Sequence, residues 1–440
     1  MGTISLFSVA LPMMLESVLA LFINLASTAV LSDFSDSAVA AVGTVGTITT
    51  ALSLILSVIS IGATVVVSNY IGAEDKKGML ESSFVAVVTA VFIGALLSIV
   101  LSLFGGNILK LMNISGEIYN QAVLYFRIIA AFYAFNGLSS GLSALIQCNG
   151  YAKQVVMSSI AVSICTVLMN AYVIYINKNP AIEGVAGIAW STVIGVILGV
   201  IIKIIFFKKL KINVSIPKTI KEFFKYMGKI FKIGLPSGLS SGSFAFSKVF
   251  TTSFIALIGN YALSANIYFS NILRFTYIFS ISLGSSNALL VGRLCGAKRF
   301  EHADKLNRTL VKITSAVNLS ICLIILIFRK PIVGIFTSDA RIIDLALGIM
   351  LVNIITEQAR AVSQIYEYGL RAAGDVTFTM VVVIMSCWVF GVGAAYFLSI
   401  PCGLGLLGCW IATTADESVR ALATYFRWQR GKWRHINIVK

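Results

Sequence analysis

The chain has 440 residues, of which 58% are hydrophobic and only 12% charged, and its mean hydropathy is +0.92. Soluble chains carry about 25% charged residues, and one membrane-crossing helix uses about 20 apolar ones, so this composition leaves room for about a dozen spans. A cytosolic enzyme, a disordered chain and a secreted disulfide scaffold are excluded. An outer-membrane barrel is disfavoured, because the apolar residues run on without alternation.

Lys and Arg number 34 against 18 Asp and Glu, a formal charge of +16. In a soluble protein that excess would suggest nucleic acid. Here the bases gather in a few connections, as the positive-inside rule requires, and no nucleic-acid partner is expected. Seven scattered cysteines without CxxC spacing, and two histidines in polar segments, give neither a disulfide framework nor a metal site. No metal or other cofactor is expected.

Apolar runs fall at 4–32, 40–71, 83–104, 118–146, 154–176, 185–207, 230–257, 263–293, 309–328, 341–370, 376–399 and 404–426. They are numbered below as the first to twelfth spans. The connection after the sixth is rich in Lys, and the tail RWQRGKWRHINIVK is basic, whereas the loop after the first span holds Asp33 and Asp36 and no base. Both termini are therefore expected in the cytoplasm, in a multi-pass protein of the cytoplasmic (plasma) membrane. The start lacks a basic flank, and no cleavable signal peptide is expected. The segment KTIKEFFKYMGKIFK (218–232) alternates Lys with apolar residues at helical spacing, as an amphipathic helix on the inner leaflet would. The expected organisation is 1–207 for a first six-span lobe, 208–229 for a linker, 230–426 for a second lobe and 427–440 for a basic cytoplasmic tail.

An internal repeat ties the halves together. At an offset of 224 residues, Leu11-Pro12 recurs as Leu235-Pro236, Gly72 as Gly296, and Gly150 as Gly374; after a three-residue shortening, Gly184 and Gly187 recur as Gly405 and Gly408. Each unit has six spans, an even number, so both enter the membrane in the same sense. A pseudo-twofold axis along the membrane normal follows, with substrate expected near the midplane. Pro12 and Pro236 are expected to cap or kink their helices. Gly72 and Gly296 are expected to supply the turn at the helix end that positive φ allows.

These motifs resemble the multidrug and toxic compound extrusion (MATE) family: LP opening the first and seventh spans, SDSAVAAVG entering the second, VSNYIGAEDKK and VGRLCGAKR closing the second and eighth, EGVAG entering the sixth, RAAGD after the tenth. The resemblance covers nearly the whole chain. It implies an all-α protein of twelve transmembrane helices in two six-helix lobes, exporting amphiphilic, often cationic compounds in exchange for H+ or Na+. A monomer among membrane lipids, with a small organic molecule as its substrate, is expected.

Charge at the bilayer centre costs at least about 2.5–3.5 kcal/mol, so intramembrane charges are functional candidates. In the first span, Glu16, Asn24 and Ser27 share a face. The family's ion-coupling aspartates of the first and fifth spans align with Ser27 and Asn170, neither of which titrates, and Glu16 is the candidate substitute. In the tenth span, Glu357, Arg360, Gln364, Glu367 and Arg371 fall within an arc of about 80°, a stripe that cannot face lipid. Arg371 is read as snorkelling to the interface. Facing candidates are Lys248 in the seventh span and Asp416, Glu417 and Arg420 in the twelfth. Acidic positions that certain relatives use for sodium align with Phe244 and Arg360, so a copied sodium site is not expected. The sequence favours an antiporter for multidrug efflux. The alternative is a flippase of the same superfamily moving a lipid-linked or anionic substrate. An enzyme would need a catalytic cluster within the spans, and none stands out.

Overall fold

A computed structural model describes residues 11–16, 19, 36–111, 116–176, 184–335, 337 and 339–439. Among the described residues the chain is helical with no strand. The second span is Asp36–Gly72, the third Lys76–Leu111, the fifth Ala152–Tyr175 and the sixth Gly184–Lys209. The seventh is Ile220–Ile258, the eighth Asn260–Gly296, the ninth Phe300–Ile327, the tenth Ala340–Ala372 and the twelfth Gly405–Gln429. The fourth is bent by 50° between Ile118–Ala131 and Tyr133–Cys148. The eleventh, Val376–Ser399, has a π-helical middle at Cys387–Ala394. Helices are what such apolar runs must form, since lipid offers the backbone no hydrogen-bond partner.

Nine of these helices are long and apolar enough to cross a membrane, and a tenth is the bent fourth span. The twelfth carries Asp416, Glu417 and Arg420, which remove it from that count. Of the first span, residues 11–16 are helical; Asn24 and Ser27 lie outside the described residues.

The chain divides into two units, Met1–Val67 with Asp75–Gly234, and Ser68–Glu74 with Leu235–Lys440. In the first, Leu101, Phe126, Tyr133 and Ile188 lie in one buried core. In the second, Phe269, Ile349, Met350 and Ala412 do so, and the tenth span packs on the eighth, ninth and twelfth.

The boundary differs from the expected one. Residues 220–234 belong to the first unit and run unbroken into the seventh span. Backbone contact holds them there. A Cβ on Gly62 would sit 2.2 Å from the Ile230 carbonyl oxygen, and one on Gly234 would sit 2.1 Å from that of Val58. Lys77 Nζ also reaches Glu222 Oε1 at 2.9 Å. The apolar face of KTIKEFFKYMGKIFK thus has protein to cover it. Pro236 consequently lies inside a 39-residue helix instead of capping one, and its missing N–H leaves a backbone carbonyl one turn back without its helical donor. Pro12 lies within the helical residues 11–16. The tail is also less free than its charge suggests: the Trp433 ring stacks on Trp428 with centroids 4.0 Å apart, and Trp433 Nε1 donates to the Trp428 carbonyl at 2.9 Å.

The repeat is written into backbone conformation. Glu74 and Lys298, 224 apart, have φ of 57° and 56°; Gly150 and Gly374 both have 91°; Gly184 and Gly405 have 58° and 55°. Gly72 and Gly296 serve differently from the expectation, since the positive φ falls two residues after each. Both are glycine because backbones touch. A Cβ on Gly72 would lie 2.0 Å from the Arg293 carbonyl oxygen, and one on Gly296 would lie 2.0 Å from that of Asn69. Gly43, by contrast, has nothing within 4 Å of a built Cβ. Gly296→Ala is expected to destabilise by about 1–3 kcal/mol through overpacking, while Gly43→Ala gains up to about 1 kcal/mol of helix propensity. Thermal unfolding of the purified protein in detergent micelles checks both.

Candidate functional site

The second unit concentrates charge where the tenth span meets the twelfth. Glu357 and Arg360 are three residues apart, one helical turn, and Arg360 Nη1 donates to Glu357 Oε1. Arg360 Nε donates at 3.0 Å to Glu417 Oε1 on the twelfth span. Glu417 also accepts from Arg420 Nη2 at 2.9 Å and from Ser363 Oγ at 2.9 Å. Arg420 Nη2 reaches Asp416 Oδ2 at 2.9 Å, and Ser386 Oγ in the eleventh span donates to Asp416 Oδ1 at 2.5 Å. Asn318 Nδ2 in the ninth span donates to Glu357 Oε2 at 3.2 Å. Four spans therefore close on one network of three carboxylates and two guanidinium groups.

Its members are not equally hidden. Glu357, Asp416, Glu417 and Arg420 are 0–3% exposed, whereas 12% of the Arg360 side chain is accessible. That opening leads to a cavity of about 340 Å³ lined by Phe244, Lys248, Arg274, Tyr277, Arg360 and Trp410 among others. Lys248 and Arg274 are exposed, and among the described residues neither has a carboxylate within 4.0 Å. Two of the cavity's aromatic faces are already taken by protein cations. Arg360 lies 5.0 Å from the Tyr277 ring centroid; Lys248 and Arg420 lie 5.3 Å and 5.1 Å from that of Phe244.

The remaining tenth-span candidates form a neighbouring group. Gln364, Glu367 and Arg371 line a smaller cavity of about 150 Å³ with Ser240. Arg371 Nη2 donates to Glu367 Oε1 and, at 3.0 Å, to Ser240 Oγ. Arg371 is only 6% exposed, so it pairs inside the protein and does not snorkel to the interface. Beyond the tenth span, Asp375 of RAAGD receives both Arg427 Nε at 2.6 Å and Arg427 Nη2 at 3.1 Å.

The first unit is sparser. Ser159 Oγ in the fifth span donates to Glu16 Oε1 at 2.5 Å. Asn170 is 5% exposed, and its Oδ1 finds no hydrogen-bond partner among the described residues. Sequence reasoning passed over two basic residues. Lys203, 6% exposed in the sixth span, donates to Ser139 Oγ at 2.6 Å; it stands five residues from the loop lysines, near the end of an apolar run. Arg274 stands alone in NILRFTYIF, and the signal that finds it is simply a charge in the middle of a span.

Removing one member of a buried ion pair costs about 3–5 kcal/mol, because its partner is left charged and dry. Glu417→Gln strands parts of both Arg360 and Arg420, and is expected to lower the melting temperature in detergent sharply. Glu222→Gln breaks an exposed pair and should barely move it.

Comparison with known proteins places these observations. A family model described as MatE matches residues 12–176 and again 236–397, two matches whose starts differ by the repeat offset. The chain is 32% identical to "Uncharacterized transporter YisQ" of Bacillus subtilis over 98% of its own length and 95% of that relative's. It is 24% identical to "Probable multidrug resistance protein NorM" of Thermotoga maritima, over 97% and 92%. Its fold superimposes on a mutant form of the Vibrio cholerae MATE transporter VcmN with a TM-score of 0.89 at 19% identity, covering 98% of this chain and 97% of that one. With its helical, two-unit, multi-pass architecture and its internal repeat, this chain belongs to the MatE family of transporters.

Proposed function

We propose that this protein is a secondary active exporter of the cytoplasmic membrane, with both termini in the cytoplasm, moving small organic amphiphiles outward by alternating access in exchange for a cation. The observation that carries the reading is the network of Glu357, Arg360, Asp416, Glu417 and Arg420 behind a cavity of ligand size. Ligand pockets run from about 300 to 1,000 Å³. A transporter needs a polar element with two arrangements whose balance an ion can tip, and an isolated apolar bundle has none.

The network's charge count favours a proton as that ion. Three carboxylates against two guanidinium groups leave one negative charge in excess, and a single proton removes it. A sodium ion would need several free oxygen ligands, whereas the guanidinium groups already fill the positions between the carboxylates. Glu357 is the best candidate acceptor. Glu417 receives both arginines and a serine, while Glu357 receives a single arginine, with the Asn318 amide and the Thr276 hydroxyl as uncharged partners. Neutralising Glu357 frees one side of Arg360, the network member open to the cavity, so protonation there is felt where cargo would sit. Glu16, with Ser159 and the buried Lys203, is the corresponding polar group of the first unit, and Asn170 the unsatisfied one.

Glu357→Gln keeps the side-chain volume and the hydrogen bonds an uncharged acid makes, but cannot exchange a proton. Inverted membrane vesicles given separate proton and sodium gradients are expected to lose proton-driven transport of a fluorescent amphiphile with this variant. The purified variant should remain folded. Transport by Glu357→Gln at the wild-type rate would refute the assignment.

A further inference from the structure

We infer that the cavity of the second unit takes an organic anion, a flat apolar body bearing one carboxylate, sulfonate or phosphate group, which Lys248 and Arg274 hold beside the paired Arg360. The inference rests on the export reading for treating that ligand as cargo, and it reverses the cationic preference that the family resemblance implies.

Three observations carry it. The charged side chains lining the cavity are all cations: Lys248 from the seventh span, Arg274 from the eighth and Arg360 from the tenth. Two of them, Lys248 and Arg274, have no acidic partner among the described residues, so their charges are offered to whatever enters. A cationic ligand would need a carboxylate, and the nearest ones in this unit are spoken for. Glu357, Asp416 and Glu417 are 0–2% exposed and each accepts bonds from an arginine and from an uncharged side chain.

The second observation concerns the rings. Aromatic faces recognise cations, but two of the three rings lining the cavity already have one: Phe244 faces Lys248 and Arg420, and Tyr277 faces Arg360. The third is the geometry of the eighth span, where Asn266, Ser270, Arg274 and Tyr277 fall within an arc of about 80° on the cavity side. An amide, a hydroxyl and a phenol therefore flank Arg274 as further donors for an anion's oxygens. Ile255, Leu273 and Trp410 add apolar surface to the lining and suit a flat apolar body. A volume of about 340 Å³ is enough for such a ring system.

The test compares two probes with one ring system and opposite heads, naphthalene-1-sulfonate and 1-naphthylmethylammonium. Binding to the purified full-length protein in non-ionic micelles is measured by calorimetry. The sulfonate is expected to bind at least about tenfold more tightly. Lys248→Gln and Arg274→Gln should each weaken it about tenfold, the loss of one charge-assisted hydrogen bond. Lys248→Glu with Arg274→Glu should invert the preference, and unchanged melting temperatures show that the variants are folded. Equal or tighter binding of the ammonium by the wild type overturns the inference, as does a sulfonate affinity indifferent to both glutamine substitutions. Binding needs no gradient, so a failure of ion-driven export leaves this result standing, and the reverse is equally true.

Discussion

Everything particular to this molecule depends on a guanidinium group shared between two helices. Arg360 bonds Glu357 on its own span and Glu417 on the twelfth, and in a hydrocarbon surrounding neither acid nor base can be left alone. Pairing therefore dictates packing. The tenth and twelfth spans must approach closely enough for direct bonds, and the ninth and eleventh must bring Asn318 and Ser386 to the oxygens that remain. The π-helical stretch that begins at Cys387 belongs to the same arrangement. It follows directly on Ser386, and the Gly391 carbonyl within it accepts Thr251 Oγ1 of the seventh span at 3.1 Å. Such bulges commonly mark functional positions. Buried ion pairs add little net stability compared with an apolar core, so a network this dense is better understood as an element that a change of charge can rearrange.

The repeat sharpens that point by subtraction. Positions equivalent to Glu357 and Arg360 in the first unit are Tyr133 and Asn136; those equivalent to Asp416, Glu417 and Arg420 are Gly195, Val196 and Gly199. Backbone conformation has been kept at the loop positions, with matching φ at Gly150 and Gly374 and at Glu74 and Lys298. Chemistry has not been kept. A Cβ on Gly195 would meet Thr166 Oγ1 at 2.4 Å, so the sixth span packs by close approach of small residues where the twelfth packs by ion pairs. The two halves share a scaffold and differ in the chemistry built on it.

How much of this is legible without coordinates follows from what each feature depends on. Span limits depend on the contrast between apolar and polar residues, and most described spans lie within four residues of their expected ends, whereas the third, seventh and ninth run seven to ten residues further into polar sequence, where a helix continues beyond its apolar stretch. The repeat depends on glycines and prolines at fixed offsets, and it is visible for the same reason. The role of Gly72 and Gly296 is not, because a glycine required by positive φ and one required by a crossing backbone look identical in sequence. The fate of residues 218–232 is hidden likewise, since an amphipathic face suits a leaflet or a neighbouring helix equally. Helical geometry puts Glu357, Arg360 and Glu367 on one stripe. Pairs three or four residues apart on one helix, such as Glu367 with Arg371, are legible from spacing; that Arg360 also bonds Glu417, and that Lys248 and Arg274 have no acidic partner among the described residues, depends on other helices.

That separation bears on energetics. A proton and an anion attract, so electrostatics alone would load both together, whereas exchange requires the two loadings to belong to opposite strokes. The membrane potential sorts them. Moving one charge through it is worth about 2.3 kcal/mol per 100 mV, and with the cell interior negative an anion gains that amount on leaving and a proton gains it on entering. A carrier holding both is neutral in its load and gains nothing from the potential in either direction. Singly loaded strokes are therefore the driven ones. A cationic cavity backed by a network one proton short of neutrality is suited to that division: under the proposed exchange, Lys248 and Arg274 would bind the outward load and Glu357 the inward one.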